Sequence, residues 1–142
     1  IGRLQSIAAE EGVTDRVTFV GRRGREALKH YYSAADIFVS TPWYEPFGIT
    51  PIEAMACGTP VIGSNVGGIK YTVVDGETGF LFDDYTPAAL EQAVRRALGL
   101  YEERESWERH MRQAMARDFG WTCSVRRYLE VYQLALRRRG RA

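Results

Sequence analysis

DIFVSTPWYEPFGITPIEAMACGTPVIGS, residues 36–64, reads as a strand, a loop, a helix and a second strand in quick succession. Asp36–Ser40 is rich in β-branched and aromatic side chains, the composition of a strand. Residues 41–49 carry prolines and a glycine that break the run. A helix is expected from Pro51 to about Cys57, with Thr50 as its cap and proline in its first turn. Gly58-Thr59 then turns into a strand over Pro60–Ser64.

The alternation continues outward from this unit. Upstream, Ile1, Leu4, Ile7 and Ala8 fall at helical spacing, and Val17–Val20 reads as a strand ended by Gly21. Residues 24–35 read as a helix with Leu28, Tyr31, Tyr32 and Ala35 on or near one face. Downstream, the loop Asn65–Gly68 leads into a short helix around Ile69–Val74, and Gly79–Phe82 is another strand. From Thr86-Pro87 the chain reads as helical to its end, with a charged helix over 101–118 and a last one over 122–138. The strands are short and nearly continuous in apolar residues, as parallel strands covered on both faces tend to be. The expected fold is therefore α/β: a doubly wound, Rossmann-like parallel sheet with helices on both faces and a helical C-terminal extension. Residues 1–142 form one expected domain, with an α/β core over 1–99 and C-terminal helices over 100–142. Such sheets bind ligands beyond the carboxyl ends of their strands, which points to the loops at 21–24, 41–49 and 64–68.

Composition narrows the function. The 142 residues are 45% hydrophobic and 26% charged, an ordinary balance for a globular domain. The formal net charge is only +1, so no general attraction to nucleic acid is expected. Cys57 and Cys123 show no metal-ligand spacing and read as free thiols, with a cytoplasmic location expected. No apolar run approaches the roughly 20 residues of a membrane helix. The chain opens without methionine, directly in helix-like sequence that is no signal peptide, and reads as a piece of something longer.

Glu45 and Glu53 stand with seven residues between them. Local structure alone accounts for Glu53: Thr50-Pro51-Ile52-Glu53 has the pattern of a capping box. A binding site uses the same geometry. A helix N-terminus offers unpaired N–H groups and partial positive charge, so it can cradle a phosphate. One of the two carboxylates, in the loop or one turn into the helix, would then face a reacting sugar, and the other would accept from ribose hydroxyls.

EPFGITPIEAMACGTPVI, residues 45–62, resembles the E-x7-E segment of retaining glycosyltransferases of the GT-B fold, especially glycosyltransferase family 4. The likeness extends along most of the chain in order. VTFVG (17–21), L-x-x-Y-Y-x-x-A-D (28–36) and the strand at 37–40 match the run upstream. GGIKYTVVDGETGFLF (67–82) matches the run downstream, and FGWT (119–122) is similar to the start of the family's last helix. The resemblance implies part of a GT-B C-terminal domain, the donor-binding half of an enzyme that transfers a sugar from a nucleotide-diphosphate sugar. It implies Glu45 as the catalytic residue beside the donor sugar. Phe47, Gly48, Ile49 and Thr50 would serve diphosphate and ribose, Glu53 the ribose, Gly21 and Arg22 the base, and Gly67 and Gly68 the pocket edge. It implies no cofactor and no metal, and Asp83-Asp84 reads as a solvated turn. The family's cationic G-R-x-x-x-x-K-G loop is not in these residues, and neither is the N-terminal acceptor domain, so the chain is expected to be inactive alone. The alternative is a nucleotide-sugar-binding module without catalysis; a weaker one is an epimerase or phosphorylase of the same architecture.

The remaining chemistry-bearing residues have plain readings. His30 reads as a helix-surface or packing residue, and His110, among charges, as solvated. Trp43 and Tyr44 suit the pocket mouth or loop packing equally. Trp107 and Trp121 read as core or docking aromatics, and Lys70 as solvated. The arginines at 126, 127, 137–139 and 141 read as a solvated helix end, with a membrane-surface or nucleic-acid contact the lesser reading. An apolar face on the last helix would favour self-association if nothing covers it.

Overall fold

A computed structural model describes residues 1–140. Arg141 of the basic tail lies outside the described residues. Three parallel strands form one sheet in the order β1 (Phe38–Ser40), β2 (Val61–Ser64), β3 (Gly79–Phe82). Phe38 pairs with Val61, and Val61 with Gly79. The helices in chain order are α1 (Gly2–Glu10), α2 (Arg25–Ala34), α3 (Ile49–Ala56), α4 (Ile69–Thr72), α5 (Pro87–Tyr101), α6 (Arg104–Met115) and α7 (Trp121–Arg139).

β2 is buried at every residue. Successive side chains alternate across a sheet, and Val61 and Ile62 accordingly enter different apolar clusters. Val61 joins Ala54 and Met55 of α3 and Tyr32 of α2 on one face. Ile62 joins Phe80, Phe82 and the α5 residues Ala93 and Ala97 on the other. This is the α/β sheet with both faces covered by helices that the apolar strands imply. The α5 start is also as expected: Thr86 accepts from the Ala89 N–H at 3.2 Å, and proline occupies the first turn.

Three expectations fail. Val17–Val20 is not a strand: Val17 is extended (φ −115°, ψ 119°), but the segment joins no ladder, and only Phe19 is half-buried. Four β-formers without a neighbouring strand have nowhere to place their hydrogen bonds except solvent. Thr50 is not the cap of α3, and no capping box forms. Gly48 is the N-cap, in the left-handed region (φ 89°, ψ 44°), so the helix begins earlier and Thr50 lies inside it. His110 is not solvated but 3% exposed, stacked on Phe80 with ring centroids 5.1 Å apart. Of the two tryptophans read as core or docking aromatics, Trp107 is core and Trp121, 78% exposed, is left with the docking reading.

Helix α6 belongs to the packed body: Ala114 reaches the α3 side and Trp107 the α5 side. α7 has no buried residue. No described helix is long and apolar enough to cross a membrane.

Candidate functional site

The carboxyl ends of β1 and β2 open into the 41–48 and 65–68 loops. The first loop is tied down from three directions. The Ser64 hydroxyl donates to the Pro42 carbonyl at 2.8 Å, and the Tyr85 hydroxyl donates to the Thr41 carbonyl at 2.5 Å. The Gly68 N–H donates to the Glu45 carbonyl at 2.7 Å. The glycine pair makes this last approach possible. A Cβ on Gly67 would collide with the Glu45 carbonyl, and one on Gly68 with the Phe47 carbonyl. Gly67 and Gly68 thus seat the Glu45–Phe47 backbone directly, which is tighter than shaping a pocket edge.

Held there, Glu45 turns back on its own loop. Its Oε1 accepts from the Gly48 N–H at 3.0 Å. Its Oε2 makes no hydrogen bond among the described residues. Gly48 is buried against Ile69 and Thr72 and starts α3. The next two residues, Ile49 and Thr50, are exposed, and their N–H groups have no partner among the described residues. Pro51 follows with no N–H at all. The first turn of α3 therefore presents two open donors beside one carboxylate, with the half-positive end of the helix behind them. Phe47 stands beside them, 56% exposed. Trp43 is stacked on Tyr85 at 3.8 Å between centroids, at the same end of the sheet, which favours the loop-packing reading of Trp43.

Glu53 lies one turn further along α3, on the wall of a groove of about 260 Å³ between α2 and α3. Its Oε1 is 3.6 Å from the Arg25 guanidinium, and its Oε2 accepts from the Tyr32 hydroxyl at 3.4 Å. Burial, and then the adjacent Glu53 charge, push the Tyr32 phenol pKa above its ordinary value. Arg25 and Tyr32 escaped the sequence reading as site residues. The signal was present: Arg25, Leu28, Lys29 and Tyr32 follow the spacing of one helix face, and all four line this groove.

Glu45, Phe47, Gly48, Ile49, Thr50, Gly67 and Gly68 are thus brought together, with Glu53 beside them on the same helix. Gly21 and Arg22 are exposed, and Gly21 is left-handed (φ 67°). No described hydrogen bond or ion pair joins these two to the rest; their segment is anchored through the neighbouring Arg23, which donates to the Tyr31 hydroxyl at 3.2 Å.

An open helix N-terminus beside a clamped carboxylate, at the carboxyl ends of parallel strands, has the donors and acceptor to hold an anionic ligand bearing hydroxyl groups. The family profile described as Glycosyl transferases group 1 matches residues 2–114, which include this whole arrangement. The chain belongs to this family. A glycogen synthase from Geotalea uraniireducens (strain Rf4) is 38% identical over 122 residues, covering 82% of this chain and 25% of that protein. The solved sucrose-phosphate synthase from Thermosynechococcus elongatus superposes with a TM-score of 0.72 at 38% identity, covering 94% of this chain and 34% of that one. An Anabaena protein solved in complex with UDP-glucose superposes with a TM-score of 0.71 at 28% identity, covering 81% of this chain and 30% of that one. The group 1 chain therefore has the α/β fold of the GT-B C-terminal type. It spans about a quarter to a third of the length of these relatives.

Proposed function

We propose that this group 1 chain is the donor-binding part of a retaining glycosyltransferase of family 4, which moves a hexose from a nucleotide-diphosphate sugar to an acceptor. The observation that carries this reading is the pair of open N–H groups at Ile49 and Thr50 next to the Glu45 carboxylate. The solved neighbour bound to UDP-glucose supports the same class of ligand. The diphosphate lies against the α3 N-terminus, with Gly48, Ile49 and Thr50 offering backbone groups. Glu45 lies beside the donor sugar and Glu53 accepts from the ribose. Gly21 and Arg22 face the base, and the Gly67-Gly68 clamp keeps Glu45 in place.

Retention follows from a front-side displacement. The bond between the anomeric carbon and the diphosphate oxygen breaks, and the acceptor oxygen bonds to the same face of that carbon. The departing diphosphate takes the acceptor proton. The protein's part is orientation, together with stabilisation of charge on the leaving oxygens by donors already in place. No divalent metal enters this scheme. The acceptor is held by a further domain, for which the exposed apolar face of α7 is the expected seat. The chain alone is inactive, and its setting is cytoplasmic.

Titration of the purified protein with UDP, GDP and ADP, followed by backbone amide NMR, tests the reading. One of the three is expected to shift amides centred on Gly48–Glu53. It should also raise stability by about 2.7 kcal/mol at a hundredfold excess over Kd. Absence of binding by all three at millimolar concentration would falsify it. Sugar transfer by the chain alone would refute its expected inactivity.

A further inference from the structure

Both carboxylate oxygens of Glu53 face residues of α2, and the two contacts are unequal. Arg25 and Tyr32 lie seven residues apart, two turns along one face of that helix. The Arg25 side chain is 86% exposed and stops at 3.6 Å from Oε1. An ion pair so exposed contributes little, because water screens it and a long side chain must be ordered to make it.

Tyr32 is its opposite. The residue is 7% exposed. Its ring meets Phe38 edge-on, with centroids 5.4 Å apart and planes at 86°. Its carbonyl accepts from the buried Thr59 hydroxyl at 2.5 Å, which ties α2 to the end of α3. The ring is thus held by packing against Phe38, and the residue's backbone by the bond from Thr59. The one acceptor the phenol hydroxyl meets among the described residues is Glu53 Oε2, at 3.4 Å, a long hydrogen bond.

We propose that Tyr32 is the positioning residue for Glu53: its hydroxyl fixes one carboxylate oxygen so that the other meets the ribose hydroxyls of the nucleotide donor. This rests on the donor-site reading above and assigns to α2 a part in selecting ribose. A free glutamate samples several rotamers, whereas one held by a rigid phenol keeps its lone pairs aimed at the diol. The contribution therefore appears in discrimination between sugars of the nucleotide, not in affinity for the diphosphate.

The test is calorimetric titration of the purified protein with whichever of UDP, GDP and ADP it binds, and with the 2′,3′-dideoxy counterpart. Wild type, Tyr32→Phe, Arg25→Gln and Glu53→Gln are compared. Wild type is expected to prefer the ribose form by about tenfold or more, the scale of hydrogen bonds to a charged group. Tyr32→Phe is expected to reduce that preference to about threefold or less while leaving the dideoxy affinity unchanged. Arg25→Gln keeps the wild-type preference. Glu53→Gln loses it, and adding Tyr32→Phe to that variant changes nothing more. A Tyr32→Phe protein that keeps the full preference, or that weakens both ligands equally, overturns the proposal and leaves the donor site standing. A wild type that binds a nucleotide without preferring ribose overturns it as well. A wild type that binds none of the three removes the donor-site reading, and this inference with it.

Discussion

Helices α6 and α7 are both charged, both amphipathic and adjacent in the chain, yet they meet opposite fates. α6 turns Trp107, His110 and Ala114 inward and joins both apolar clusters. α7 carries Trp121, Val125, Tyr128, Tyr132 and Leu136 at helical spacing and buries none of them. The difference is not in the helices but in what faces them. α6 meets Phe80 of the sheet and Tyr101 at the end of α5. An amphipathic pattern says that a helix has a face to cover; it does not say what covers it.

Trp107→Ala should give the largest effect, a loss of about 3–5 kcal/mol in denaturant unfolding, because the indole is buried between α5 and the sheet. A loss under about 1 kcal/mol would place α6 with α7 as a surface element and break the comparison. Gly68→Ala comes next, at about 1–3 kcal/mol, because the new methyl must push the Phe47 carbonyl away. Nucleotide binding should fall with it. Unchanged stability together with unchanged binding would show that the Glu45 loop needs no clamp.

His110 sharpens the contrast through pH. Burial lowers its pKa below the ordinary 6.5, and its Nε2 has no partner among the described residues. The unfolded chain therefore takes up a proton at a higher pH than the folded one does. Stability from this residue is complete above about pH 6.5, falls as pH drops through the window below it, and levels off beneath the folded pKa. His110→Phe should flatten that part of the stability profile. An equal slope in wild type and variant would assign the pH dependence elsewhere. The smallest effect belongs to α7: Tyr132→Ser should change the stability of the isolated chain by no more than about 0.5 kcal/mol. A loss above about 1 kcal/mol would mean that α7 is packed in solution.

Much of this architecture was legible in residues 36–64 and their flanks. Short apolar strands, a capped α5 and a glycine pair each follow from local preferences that act within a few residues. The geometry of the candidate site was legible in part for the same reason, since Glu45, Gly48 and Glu53 sit on one loop and one helix. Three features were not. Val17–Val20 has the composition of a strand, but pairing is a property of two segments. Thr50 looks like a cap, yet the left-handed Gly48 and the Glu45 carboxylate take the helix start from it. Charged neighbours on α6 made His110 look solvated, while its own face points at Phe80.

By itself, the sequence determined the order of strands and helices from residue 24 onward, the covered faces of β2 and the presence of a helix above a parallel strand. Those depend on periodicity and on backbone preferences that neighbouring residues set. The tertiary structure alone decided which helix was buried and which was bare. It also closed the glycine pair onto the Glu45 loop and brought Tyr32 across to Glu53. Each of these is a contact between segments far apart in the chain, and its energy depends on a partner surface that no local pattern encodes.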